Sequence, residues 1–149
     1  ADARPRLERA ADGYAKAEAN TGVADAEALL AVCADALGDA NARDAAAARA
    51  ADLRRAITEH QEVFTVDVAL AVLRARSGDE AAIGDLRALA NDAEARHWLG
   101  WSLESRLAAY EVLAARHDPA AAALRAEIAA SAREHGFGWV LTRLGDPRA

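Results

Sequence analysis

Four histidines are the first residues of this sequence that suggest chemistry: His60, His97, His117 and His135. Imidazole binds zinc and moves protons near neutral pH. Helical zinc sites set two ligands one turn apart, as in H-x3-H or H-E-x-x-H. No such spacing occurs. Each histidine falls near an expected helix end, where it suits the negative pole of the helix dipole. The stretch "EHQE" around His60 spreads two acids and a histidine over different helical faces, a solvated arrangement. Cys33 is alone, so no intramolecular disulfide forms. It lies on an apolar helical stripe and reads as a small buried hydrophobe rather than a reactive thiol. Ser77, Ser102, Ser105 and Ser131 have no acid–base neighbours in sequence. G-x-S-x-G, the P-loop and the dinucleotide fingerprint are all absent, and the glycine pair of "HGFGW" suits helix capping. The expectation is therefore no catalytic residue, no metal ligand and no cofactor.

The aromatic residues point to binding. Trp98 and Trp101 stand three apart and share one side of a helix. They suit either core packing between helix pairs or an anchor for a partner, since aromatics and arginine are enriched at binding hot spots. Glu104, Arg106 and Tyr110 follow on the same predicted helix. The candidate binding residues are Trp98, Trp101, Arg106, Arg74 and Asp67.

Composition narrows the partners. The 149 residues carry a net charge of −6, which argues against general nucleic-acid binding. Hydrophobic residues make up 53%, so long-range disorder is not expected. Of the 18 basic residues only Lys16 is lysine. With so much alanine, this reads as a GC-rich bacterial coding bias; the sequence leaves the compartment, bacterial cytoplasm or periplasm, open. No apolar run is long enough to span a membrane and none reads as a signal peptide. The chain starts at "ADARPR" without methionine, as a processed protein or a piece of a longer one would.

Prolines occur only at 5, 119 and 147, so everything between can be helical. The spacing predicts a first helix from near Pro5 to a C-cap at Gly22, with Leu7, Ala11, Tyr14 and Ala15 on one side. A second ends at Gly38, with Leu29, Val32, Cys33, Ala36 and Leu37 inward. A third runs through "ARDAAAARAADLRRAITEHQ" with Ala46, Ala50, Leu53 and Ile57 inward. The fourth, "EVFTVDVALAVLRARSG", alternates like a strand at Val66, Val68, Leu70 and Val72. Its continuation to Leu73 and its helical neighbours favour a helix buried on most faces. The fifth begins at Asp79, with Ile83, Leu86 and Ala90 as its stripe. Asn91 and Glu94 form a capping-box-like start for a long sixth, "DAEARHWLGWSLESRLAAYEVLAARH", which Gly100 is placed to break or kink. Its face runs through Leu99, Leu103, Leu107, Tyr110 and Ala114. Asp118 and Pro119 open the seventh, with Leu124, Ile128 and Ala132 inward. A short eighth, "FGWVLTRL", puts Phe137, Val140, Leu141 and Leu144 on one face and Thr142 and Arg143 on the other.

Val32, Val72 and Val112 stand 40 apart, each in an aliphatic helix end before a turn containing Asp. Two helices per period of about 40 fit a helical solenoid. From Trp101 to Leu144 the chain resembles the terminal unit of bacterial tetratricopeptide-like repeat proteins. The likeness rests on Leu107-Ala108, Asp118-Pro119, Ala120, Leu124 and the "AREHGFG" exit. The segments 63–96 and 24–60 resemble the unit progressively less. The consensus W-x2-L-G-x2-Y is absent, and the period exceeds the roughly 34 residues of the standard repeat.

The resemblance implies an all-α, right-handed superhelical stack in one domain, 1–149. Antiparallel helix pairs fall at about 24–60, 63–91 and 93–135, and a C-terminal capping helix at 137–144 covers the last apolar face. It implies a non-catalytic protein–protein interaction, scaffold or sensing module of a bacterial regulatory protein, whose first helices line a concave groove. A protein or peptide partner follows. Self-association as a homodimer and small-molecule binding are the alternatives.

Overall fold

The computed structural model describes residues 3–146, and Pro147 lies outside them. Among the described residues there are eight helices and no strand. They are α1 (Arg4–Lys16), α2 (Asn20–Ala36), α3 (Ala40–Arg54), α4 (His60–Arg76), α5 (Ala81–Ala95), α6 (Leu99–Ala115), α7 (Ala120–Glu134) and α8 (Gly138–Arg143). The all-α expectation therefore holds. From α2 to α7 the lengths alternate, with 17 residues in α2, α4 and α6 and 15 in α3, α5 and α7. Two compact units divide between Leu73 and Arg74, in the last turn of α4.

One backbone device ends most of these helices. A residue at positive φ follows the last turn, at Glu18, Gly38, Gly78, His97, His117, Gly136 and Gly145. The next N–H reaches back to a carbonyl one turn inside, as in Asp39→Ala34 (2.9 Å), Trp98→Ala93 (2.8 Å) and Asp118→Leu113 (2.9 Å). This is the Schellman closure, which satisfies carbonyls that the helix leaves open. Asp follows the left-handed residue at Gly38-Asp39, Gly78-Asp79 and His117-Asp118, and each carboxylate accepts an N–H of the next first turn, from Ala42, Ala81 and Ala120. At Glu18-Ala19, His97-Trp98 and Gly136-Phe137 the following residue is apolar instead.

Several boundaries differ from the sequence reading. Glu18, not Gly22, closes α1, because a left-handed residue rather than a glycine as such makes the closure. Gly22 lies in the first turn of α2, where a Cβ would sit 2.6 Å from Tyr14 ring carbons, so its bareness lets α1 approach. The third helix ends at Arg54, and Ile57 is buried in the following turn rather than in a helix. His60 opens α4 and so lies at a positive rather than a negative dipole end. Asn91 is interior to α5, which runs on to Ala95 before His97 closes it. The opening of the expected long sixth helix is thus the end of α5, and Gly100 sits in the first turn of α6 without breaking it. Phe137 packs there, 3.5 Å from where a Gly100 Cβ would be.

The first unit packs α2 against α1 and α3. Its core joins Ala24 and Ala28 of α2, Ala50 of α3, Ile57, and Val63, Val66 and Ala69 of α4. Here α2 departs most from its reading. It buries Ala24, Ala28, Ala31 and Ala34 and leaves Leu29 and Leu37 exposed. Alanine's small volume lets neighbouring backbones come close, which leucines on that face would prevent. In the second unit α6 packs on α5 and α7, and α8 on both α6 and α7. Leu86, Leu103, Leu107, Ile128 and Val140 are fully buried there, each contributing roughly 1.5–3 kcal/mol. Ser105, also fully buried, donates to the Leu86 carbonyl at 2.7 Å and so locks α6 to α5. The expected terminal helix docks through Val140, Leu141 and Leu144, with Thr142 and Arg143 outward. Arg125 of α7 donates to the Leu144 carbonyl at 2.9 Å. As expected, α4 is a helix buried on most faces; Val66 is fully buried.

Ion pairs mark three of the helix junctions. Arg54 of α3 grips Asp67 of α4 with bonds of 2.6 and 3.0 Å. Glu94 of α5 pairs with Arg106 of α6, and Arg133 of α7 with Asp146 after α8. The partners are 13, 12 and 13 residues apart. The order of charge alternates: basic–acidic, acidic–basic, basic–acidic.

Candidate binding site

Of the five residues expected to bind, one belongs to the first unit and four to the second. Asp67 lies in the first unit, half-buried, with both carboxylate oxygens taken by Arg54. That bond raises the guanidinium pKa of Arg54. Arg74 is exposed and held by Asp79 at 2.9 Å and Asp85 at 2.8 Å, which raises its own pKa and lowers that of Asp79. Both residues therefore have internal partners that a ligand would have to displace.

Trp98 and Trp101 do meet. The rings form an edge-to-face pair with centroids 5.1 Å apart and planes at 72°. Trp98 occupies the N-cap position ahead of α6, just after the left-handed His97 and three residues before Trp101 in the first turn. Arg96 stacks over Trp98 at 5.3 Å from the ring centre. Both indoles are half-buried. The sequence reading missed Arg96, although its place two residues before Trp98 was the available signal.

Arg106 lines an open cleft of about 390 Å³ between α5, α6 and α7. Arg87 and Asn91 of α5 and Glu127 of α7 share it, over a floor that includes Ala90 and Leu124. Arg106 stays tied to Glu94. The first unit has a cleft of about 350 Å³ between α1, α2 and α3 with the opposite charge pattern. There Glu8, Asp12 and Glu27 face Arg4 and Arg49, and Arg49 holds Glu27 with two bonds of 2.8 and 2.7 Å. Glu104 of α6 keeps part of its surface in solvent, but desolvation of its carboxyl by the surrounding residues pushes its pKa up, against which the charge of Arg143 works.

Among the described residues no group of His, Cys, Asp and Glu is placed to hold a metal ion. Among the described residues, too, no helix is long and apolar enough to cross a membrane. Comparison with family models, with characterised proteins and with solved structures finds no match to this chain.

Proposed function

We propose that the chain is a tetratricopeptide-like helical-repeat module that binds a protein or peptide partner without catalysis. The observation that carries this reading is the alternation of 17- and 15-residue helices from α2 to α7. The Asp-capped turns at Gly38, Gly78 and His117 recur at the same interval of about 40 residues. A stack of equivalent pairs offers a rigid surface to an extended or helical partner. The T-shaped Trp98–Trp101 pair, backed by Arg96, supplies an amphipathic anchor of the type found at hot spots. A role in a bacterial regulator follows from the same resemblance.

The test is selection from a random peptide display library on the immobilised protein. Peptides that bind wild type and lose about tenfold or more affinity for Trp101→Ala, a change of roughly 1.4 kcal/mol, support the reading. Failure to select any peptide refutes it. Light scattering over a hundredfold concentration range separates the homodimer reading, which requires a dimer that Trp101→Ala dissociates. Small-molecule binding is the second reading, favoured by the cleft around Arg106. It requires a ligand that raises the melting temperature of wild type but not of Arg87→Ala.

A further inference from the structure

The row Asp25, Leu29 and Cys33 on α2, continued by Leu37 at its C-cap, rises four residues at a time, so it forms one line of side chains about 18 Å long. It faces away from the buried alanines of the same helix. Leu29 is 40% exposed and Leu37 63% exposed, while Val32 and Cys33 beside them are half-buried. One turn ahead of Leu29, the Oδ1 atom of Asp25 is shut off from water and accepts no hydrogen bond. Burial pushes its carboxyl above the usual range. The other acids of α2 have partners: Glu27 is held by Arg49, and Asp35 lies 3.5 Å from Arg43. No lysine or arginine occurs on α2. The row is thus an apolar strip that ends in one uncompensated, half-dry acid.

We propose that this face docks an amphipathic helical segment of a partner protein, with apolar residues one turn apart and an arginine or lysine a turn away that meets Asp25. The inference rests on the interaction-module reading and names its partner's chemistry. Charge decides between occupants. A cation over Asp25 offsets the carboxylate charge that burial disfavours, and an apolar ridge covers Leu29 and Leu37. A second copy of this chain would bring another uncompensated Asp25 and a further net charge of −6.

Cys33, the only cysteine, lies in the middle of the row and reports its occupancy. The experiment follows alkylation of Cys33 by iodoacetamide in the full chain. The probe is a synthetic amphipathic helical peptide with leucines one turn apart and flanking arginines, and its control carries glutamates in their place. At tenfold excess over its dissociation constant the arginine peptide should slow alkylation about tenfold. Leu37→Glu should abolish the protection and Asp25→Asn should weaken it, with circular dichroism showing both variants folded. Equal protection by the glutamate peptide overturns the charge assignment. Slowing that depends on protein concentration alone assigns the face to a second copy and overturns the proposal. No protection by either peptide overturns it too. If displayed peptides then still bind in a Trp101-dependent way, this inference fails and the interaction reading stands. If nothing binds anywhere, both fail.

Discussion

Replacing Gly22 with alanine should destabilise the chain, although alanine is the better helix former. In an open helix the exchange gains up to about 1 kcal/mol. Gly22 is helical, so no backbone strain opposes it. The obstacle is Tyr14, whose Cγ and Cδ1 would lie 2.6 Å and Cδ2 2.9 Å from the new Cβ. Carbon atoms rest at about 3.5–4.0 Å, so the ring must move by roughly 1 Å or swing out. Tyr14 is 45% exposed, and losing its remaining burial costs about 1 kcal/mol, a fraction of a full aromatic. Displacing α1 from α2 adds to that. The net effect should be a loss of about 0.5–1.5 kcal/mol, or roughly 2–5 °C in melting temperature. In the Tyr14→Ala background the obstacle is gone, and Gly22→Ala should stabilise by about 0.5–1 kcal/mol. The double-mutant cycle, read by urea denaturation, should give a coupling of about 1–2.5 kcal/mol. If Gly22→Ala stabilised both backgrounds equally, the account of how α1 docks would be refuted.

Three further outcomes follow from the same structure. Arg54→Asp and Asp67→Arg, each alone, should destabilise, whereas the double swap should recover about 1–2 kcal/mol of coupling; additive costs would show that this junction has no charge register. His117→Gly should stabilise by about 0.5–1 kcal/mol in thermal melts, because His117 is held at a φ of 55° that costs an L side chain and not glycine; a loss would mean the imidazole makes a compensating contact. Asp25 has a carboxyl raised by burial, so its contribution is present below the unfolded value near 3.9 and is lost as pH rises through the folded value. Wild type should therefore gain stability relative to Asp25→Asn as pH falls from 7 toward 4, and parallel stability curves would contradict the burial of that carboxyl.

Much of the helix inventory was legible because local rules determine it. Proline placement, Asp after a left-handed residue and 3.6-residue periodicity marked the eight helices, the Asp118-Pro119 start and the final helix with Leu141 and Leu144 inward. The strand-like valines of α4 were outweighed by length and by helical neighbours on both sides. Boundaries failed where a non-glycine made the helix closure. Glu18 and His97 carry no strong local signal for positive φ, so α1 was extended to Gly22 and the break between α5 and α6 was placed at Asn91 instead of at His97. At the candidate site, the sequence placed Trp98 and Trp101 together, because three residues on or beside a helix fix their proximity. It did not reveal that Arg54, Asp79, Asp85 and Glu94 already occupy the charged candidates, since those pairings join different helices or turns.

What the sequence determined by itself is the helical class, the interval of about 40 residues and the terminal helix, all consequences of chain-local geometry. Tertiary structure alone decided which face of α2 is buried. Periodicity identifies an apolar stripe but not the distance at which a neighbour packs. Here close approach selects Ala24, Ala28 and Ala31 for the core and leaves Leu29 and Leu37 outside, because two backbones near one another have no room for leucine between them.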